Sequence, residues 1–272
     1  MKRAMGHGLW ALGRALLLPT VLLGFGVSAS AQTITGPPQK TDGFQLFPRY
    51  DFHLTAEHLS HDDPRYVWDM NYGGDIDLFG YRATRLTFVA NYQAILGDQM
   101  WEFDPNQGNY IVAGSWTTTF AGIEAGPTFY HQSRHLSDRP KDYPVDWNML
   151  GGRVTKHISE GAGTVDLRVD LRRTIVVTTV DYEWELNAGG QGQYRLHPHL
   201  ALVGGGFYRR MTVDGTRDRG TQNGGRVDGG VRIDGTRGAV EFFLAVERRI
   251  DPYPTEFGTV RWTSVGMRFL SR

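Results

Sequence analysis

The chain reads as an all-β protein, an antiparallel up-and-down barrel of twelve strands. Three observations predict this. Stretches in which apolar and polar residues alternate fill nearly everything after residue 43. The connections between those stretches alternate between long and short. A secretory leader precedes them. Together these place the barrel in the bacterial outer membrane, with both termini in the periplasm.

The leader begins with Lys2, Arg3 and Arg14, continues as an apolar run from Ala15 to Val27, and ends in Ala29-Ser30-Ala31. That is the charged, apolar and small-residue order a signal peptidase reads, so residues 1–31 are expected to be removed. The apolar run is too short to cross a bilayer as a helix. Residues 32–43 (QTITGPPQKTDG) form a short periplasmic tail, and residues 44–272 the barrel. Cysteine is absent, which excludes disulfides, thiolate metal sites and a cysteine nucleophile. Basic and acidic residues balance at 29 each, so no net field draws the chain to nucleic acid. Past the leader no stretch is apolar enough for a transmembrane helix, and a closed barrel is the remaining way to span a membrane.

In the first strand Phe44, Leu46, Tyr50, Phe52 and Leu54 share a face, and Arg49, Asp51 and His53 the other. The second sets Trp68, Met70, Tyr72, Ile76 and Leu78 against Asp69, Asn71, Asp75 and Asp77. The third sets Leu86, Phe88, Ala90, Tyr92 and Leu96 against Arg85, Thr87, Asn91 and Gln93. The seventh alternates most regularly, with Val165, Leu167, Val169 and Leu171 opposite Asp166, Arg168, Asp170 and Arg172. In the eighth, Tyr182, Trp184 and Leu186 oppose Asp181, Glu183, Glu185 and Asn187. Gly204-Gly205-Gly206 lies mid-strand with no helix after it, which reads as close backbone packing and not as a phosphate loop.

Successive strand residues face opposite sides, so every segment has a greasy and an ionic face. A soluble sandwich would bury the greasy face; a membrane barrel turns it to lipid. Strand length, about ten to fourteen residues, favours the membrane. So do aromatics near strand ends (Tyr66, Trp68, Phe79, Tyr81, Tyr110, Trp116), which are placed as interfacial girdles. Connections at 60–65, 97–108, 135–144, 213–223 and 251–258 are long, and those at 80–82, 159–163, 195–199 and 235–238 short. The connection at 177–180 breaks the rule by being short where a long one is due. Ser264-x-Gly266-x-x-Phe269 resembles part of the C-terminal signal of outer-membrane barrels, which implies the barrel-assembly machinery as a partner during insertion.

Chemistry concentrates in the fifth strand. Ile123, Ala125, Pro127 and Phe129 form its apolar row, and His131 and Ser133 continue that row toward the outer rim. A histidine two residues from a serine on one strand face can act as its general base, and lipid esters are what the pair would meet. This H-x-S arrangement resembles the catalytic pair of outer-membrane phospholipase A and of the lipid A deacylases. The resemblance implies an outward-facing Ser133 nucleophile, a His131 base and a third polar residue on the next strand. Both families usually follow the serine with Asn, whereas this chain has Arg134. A hairpin centred between residues 139 and 140 would bring Asn148 opposite His131 and Asp146 opposite Ser133, turning Val145, Trp147 and Met149 inward.

The spacing alone is not selective, because H-x-S also occurs at His58/Ser60, His135/Ser137 and His157/Ser159. Position separates them: His157/Ser159 sits on the luminal row at the periplasmic end, His135/Ser137 in a loop, and His58/Ser60 beside Tyr66, Trp68 and Met70, which cannot orient an imidazole. His53, Glu57, His58, His61, Asp62 and Asp63 are a possible metal cluster, with Ca²⁺ the ion that rim carboxylates would take. His197 and His199 lack a third ligand. No other cofactor is evident. The luminal ions either line a pore or close it as paired charges. The sequence therefore supports two functions, a lipid acyl-ester hydrolase acting on phospholipid or lipid A, or a non-catalytic barrel that is a narrow channel or a structural protein. Outer-membrane lipids are the partner in both.

Overall fold

The computed structural model describes residues 41–137 and 139–271. In chain order its strands are β1 (Thr41–Ser60), β2 (Trp68–Arg82), β3 (Thr84–Gly97), β4 (Asp104–Phe120), β5 (Ile123–Leu136) and β6 (Val145–Glu160). They continue as β7 (Gly163–Thr178), β8 (Tyr182–His197), β9 (Leu200–Val213), β10 (Gln222–Asp234), β11 (Gly238–Ile250) and β12 (Thr259–Ser271). Each strand pairs antiparallel with its sequence neighbours, and β1 also pairs with β12, so the sheet closes. Closure leaves no edge with unpaired backbone groups, the condition for a sheet in hydrocarbon. The expected leader at 1–31 and most of the expected tail lie outside the described residues. β1 starts at Thr41, within the span assigned to the tail, and Thr41 pairs with Arg82.

Connections 61–67, 98–103, 137–144, 214–221 and 251–258 gather at one end of the barrel, the loop end. Turns 121–122, 161–162, 198–199 and 235–237 gather at the other, with the single residue Ala83. The β7–β8 connection at 179–181 is the short exception at the loop end.

The alternation decides which wall is which. Phe52, Leu171 and Leu244 are 53%, 52% and 68% exposed, while Asp170, Arg172 and Glu185 are fully buried. This inverts the order of a soluble protein and gives the apolar outer band of a membrane barrel. Inside, the charges pair. Asp170 accepts from Arg153 at 2.7 Å and Arg168 at 2.8 Å. Glu185 meets Arg172 at 2.9 Å and Arg209 at 2.7 Å. Arg226 donates to Glu57, and Arg249 to Asp69 and Glu247, at 2.6–2.7 Å. Arg85 holds Glu124 with two bonds of 2.7 Å.

The loop half of the lumen also holds two apolar clusters beside its buried charges. Val145, Trp147 and Met149 do turn inward and pack with Ala113, Tyr130, Val180, Tyr182 and Met211. A second cluster joins Leu59, Tyr66, Ile95 and Trp262. Tyr66 is therefore not a girdle residue: it lies before β2 starts and folds into the lumen, 1% exposed, with its ring against Trp262. The alternation assigned to the eighth strand also fails at its start. A β-bulge between Tyr182 and Glu185 shifts the register against β9, so Tyr182 points inward and Glu183 outward. The connections at the loop end are tied by charges, as the lumen is. Arg219 bridges Asp181 and Asp251, and Arg134 donates to the carbonyls of Asp251 and Pro252 from inside the barrel. A cavity of about 80 Å³ remains among Tyr130, Arg134, Trp147, Arg209 and Arg249.

Candidate functional site

The hairpin entering β5 is sharp. Ala121 (φ 50°) and Gly122 (φ 73°) form a two-residue turn with positive φ at both positions, which suits the twist of the flanking strands. From there the outward row of β5 runs through Ala125, Pro127 and Phe129 to His131, Ser133 and His135. On β6 the outward row is Asp146, Asn148, Leu150, Gly152 and Val154. Pairing sets His131 between Val112 and Asn148, and Ser133 between Tyr110 and Asp146. This is the register the hairpin count predicts.

The His131 ring and the Asn148 amide are in contact, with Nδ1 3.0 Å from Oδ1. An amide oxygen only accepts, so Nδ1 carries the proton and Nε2 keeps its lone pair. Asp146 makes no hydrogen bond to His131 among the described residues; its place is beside Ser133. A bulge backs the contact: β6 and β7 shift register between Asn148 and Met149, leaving Ile175 extra on β7. Bulges of this kind re-aim side chains next to functional sites. At Gly151 the strands approach so closely that an added Cβ would lie 2.0 Å from the Leu171 carbonyl oxygen.

Ser133 Oγ has a different partner, Nε2 of His135 at 3.4 Å. This corrects the sequence reading, which put His135 in a loop. β5 extends to Leu136, and parity then sets His135 on the row of His131 and Ser133. Its ring stands edge-on to Tyr110 at 5.4 Å. Tyr110 continues a cross-strand row of tyrosines with Tyr92 and Tyr72 at 4.8 and 5.2 Å, a girdle at the depth of Ser133. Lys141, in the loop above, donates to the Arg134 carbonyl. Burial, reinforced by the Arg134 charge, lowers its ammonium below the ordinary range. Arg134 itself, the departure from the H-x-S families, faces the lumen and anchors the 251–258 loop, away from the outer wall.

The other sequence candidates are structural. His157 donates to Asp166 at 2.6 Å inside the lumen, near Glu124. His58 packs edge-on to Trp68. The possible metal cluster does not form among the described residues. His53 bonds Asn71, and Glu57 is taken by Arg226 and Ser264. Asp63 is held by Arg65, whose hydrogen bonds keep that carboxyl below the usual carboxylate range.

No family model matches the sequence, and no curated protein is similar to it. Solved structures do match. The calcium-bound dimer of the Salmonella typhi outer-membrane phospholipase is 16% identical, with a TM-score of 0.52 over 86% of this chain and 94% of that one. An outer-membrane channel of Pseudomonas putida F1 is 12% identical, with a TM-score of 0.51 over 90% and 99%. An active-site mutant of Escherichia coli outer-membrane phospholipase A, with an asparagine replaced by alanine, is 13% identical, with a TM-score of 0.50 over 92% and 97%. These likenesses are in fold, and with the apolar outer wall they make the chain an outer-membrane β-barrel.

Proposed function

We propose that the barrel is a lipid acyl-ester hydrolase, with Ser133 as nucleophile, His131 as general base and Asn148 as the residue that orients it. The observation that carries the proposal is the 3.0 Å contact between His131 Nδ1 and Asn148, two residues along the same outward row from Ser133. With Nδ1–H committed to Asn148, Nε2 is the free base. The proposed reaction requires the Ser133 hydroxyl to turn from His135, its partner at 3.4 Å, toward that lone pair; apo sites commonly hold such bonds loosely. Ser133 Oγ attacks the ester carbonyl as its proton passes to Nε2. The C–O bond to the lipid alcohol breaks and the alcohol leaves with that proton. Water, deprotonated by the same nitrogen, then releases the fatty acid from the acyl-serine. The fold is compatible, since it is shared with two phospholipases, one of which has an asparagine in its active site.

Calcium is bound in the Salmonella structure. Here Asp146 is the one carboxylate opposite Ser133, and a single carboxylate falls well short of the roughly six to eight oxygen ligands the ion takes. The residues do not fit a calcium site within one chain, so the steps above use none. The rival, a channel, finds less support because luminal charges are paired and the loop half of the lumen is packed.

The test is release of labelled fatty acid from phospholipid and from lipid A by the wild type and by Ser133→Ala. Release by the wild type and its loss in the variant is the expected result, and the preferred lipid names the substrate. Equal release by both proteins overturns the hydrolase.

A further inference from the structure

Four arginines on the outer wall between β7 and β12 have no counter-charge. Arg173, Arg210, Arg248 and Arg261 are all exposed, and each continues an apolar outward row. Arg173 follows Leu171, Arg210 follows Tyr208, Arg248 follows Val246, and Arg261 precedes Val265 on β12. All four lie in the parts of their strands nearest the loop end. None forms an ion pair among the described residues. Arg173 rests on the Trp184 ring at 5.7 Å, and Arg248 donates to Thr259 Oγ1 at 3.3 Å. Glu183 is the one exposed carboxylate on these six strands among the described residues, and it too makes no ion pair. The lumen follows the opposite rule, in which Arg153, Arg168, Arg226 and Arg249 each meet an acid.

Two of the four are direct neighbours. Arg248 on β11 pairs across the sheet with Arg261 on β12, on the same outward face. Like charges opposite each other in a sheet repel. A lipid-facing arginine is also costly unless it sits near the interface and finds an anion there. A phosphomonoester relieves both problems. It carries close to two negative charges and three acceptor oxygens, which match the forked guanidinium.

We propose that this arc binds the phosphate groups of anionic lipids in the leaflet around the loop end, with Arg248 and Arg261 clamping one phosphate between them. Arg173 pairs with Leu150 on the strand that bears Asn148, so the arc begins beside the candidate hydrolytic site. It needs no catalysis by Ser133.

The test is electron paramagnetic resonance of spin-labelled lipids with the full chain reconstituted in dimyristoylphosphatidylcholine. The Ser133→Ala background keeps the probe intact whether or not Ser133 is a nucleophile. Phosphatidic acid is expected to outcompete phosphatidylcholine for the barrel surface by at least about fivefold, the worth of one arginine at a charged membrane surface. Replacing Arg248 and Arg261 together with Gln should cut that ratio by half or more. If the double variant does not assemble, Arg248→Gln and Arg261→Gln singly are expected to do the same. A ratio near one in the parent, meaning solvation by water alone, overturns the proposal; so does a ratio the variants keep.

Discussion

Two histidines flank Ser133 on one row, and the structure predicts that they are unequal. His131 is oriented by Asn148 at 3.0 Å, and its neighbour on the other side is the apolar Val112. His135 is exposed, touches Ser133 at 3.4 Å and is braced only by the edge of Tyr110. Removing a general base costs about 10²–10⁴-fold in rate, so His131→Ala should lower kcat by that amount. Asn148→Ala removes one neutral hydrogen bond of about 0.5–1.5 kcal/mol, or about 2- to 12-fold if ring orientation is all it supplies. Asn148→Asp restores an acceptor at the same place and should recover most of the loss. His135→Ala should cost less than about twofold, since a 3.4 Å contact of an exposed ring contributes little. The assay is steady-state release of labelled fatty acid in mixed micelles, with folding of every variant checked by heat-modifiable gel mobility. If His135→Ala is as inactive as Ser133→Ala while His131→Ala stays active, the assignment is wrong and the base lies at the strand end.

Three further outcomes follow from the lumen and the strand packing. Asp170→Ala leaves Arg153 and Arg168 without their shared acceptor and should destabilise the barrel by about 3–5 kcal/mol, read by guanidinium unfolding in lipid vesicles; a loss under about 1 kcal/mol would show that the network is not what holds the wall. Gly151→Ala puts a methyl 2.0 Å from the Leu171 carbonyl oxygen and should block assembly or expel Asn148 from its contact, so a variant with full stability and full activity contradicts the geometry. With paired charges and packed apolar clusters in the lumen, the wild type should give no stable single-channel steps in planar bilayers, and steady conductance would restore the channel reading.

Much of this fold is legible in the residues because one physical rule, alternation against two different media, is repeated along the chain. Val165 to Arg172 need only that rule, and so does the hairpin count that sets His131 against Asn148. The readings that failed are those where the period slips. At Tyr182 a bulge shifts the register, and Tyr182 and Glu183 exchange the faces that alternation assigns them, while Asp181 and Trp184 keep theirs. At Tyr66 the alternation is extended one step past the strand, into a connection that folds back into the lumen. His135 was hidden by a loop boundary drawn too early, although its odd number already puts it on the row of Ser133.

The apolar cluster around Trp147 carries the lesson furthest. Charged lumina are expected of barrels, yet Val145, Trp147 and Met149 on one row and Asn148 and Asp146 on the other invert the usual faces of β6. That inversion is visible in the sequence, and it has one physical solution: the apolar row fills the interior while the polar row is offered to the lipid side. Polar groups facing lipid are expensive unless they are partnered or lie near the interface. Asn148 is partnered by His131, and Asp146 lies beside Ser133 with no such partner among the described residues. A strand that turns its polar row outward at the same place where the neighbouring strand offers histidine and serine is hard to account for by packing alone. The tyrosine row level with Ser133 marks the interfacial layer, where ester carbonyls reside, and the proposed reaction needs its substrate there.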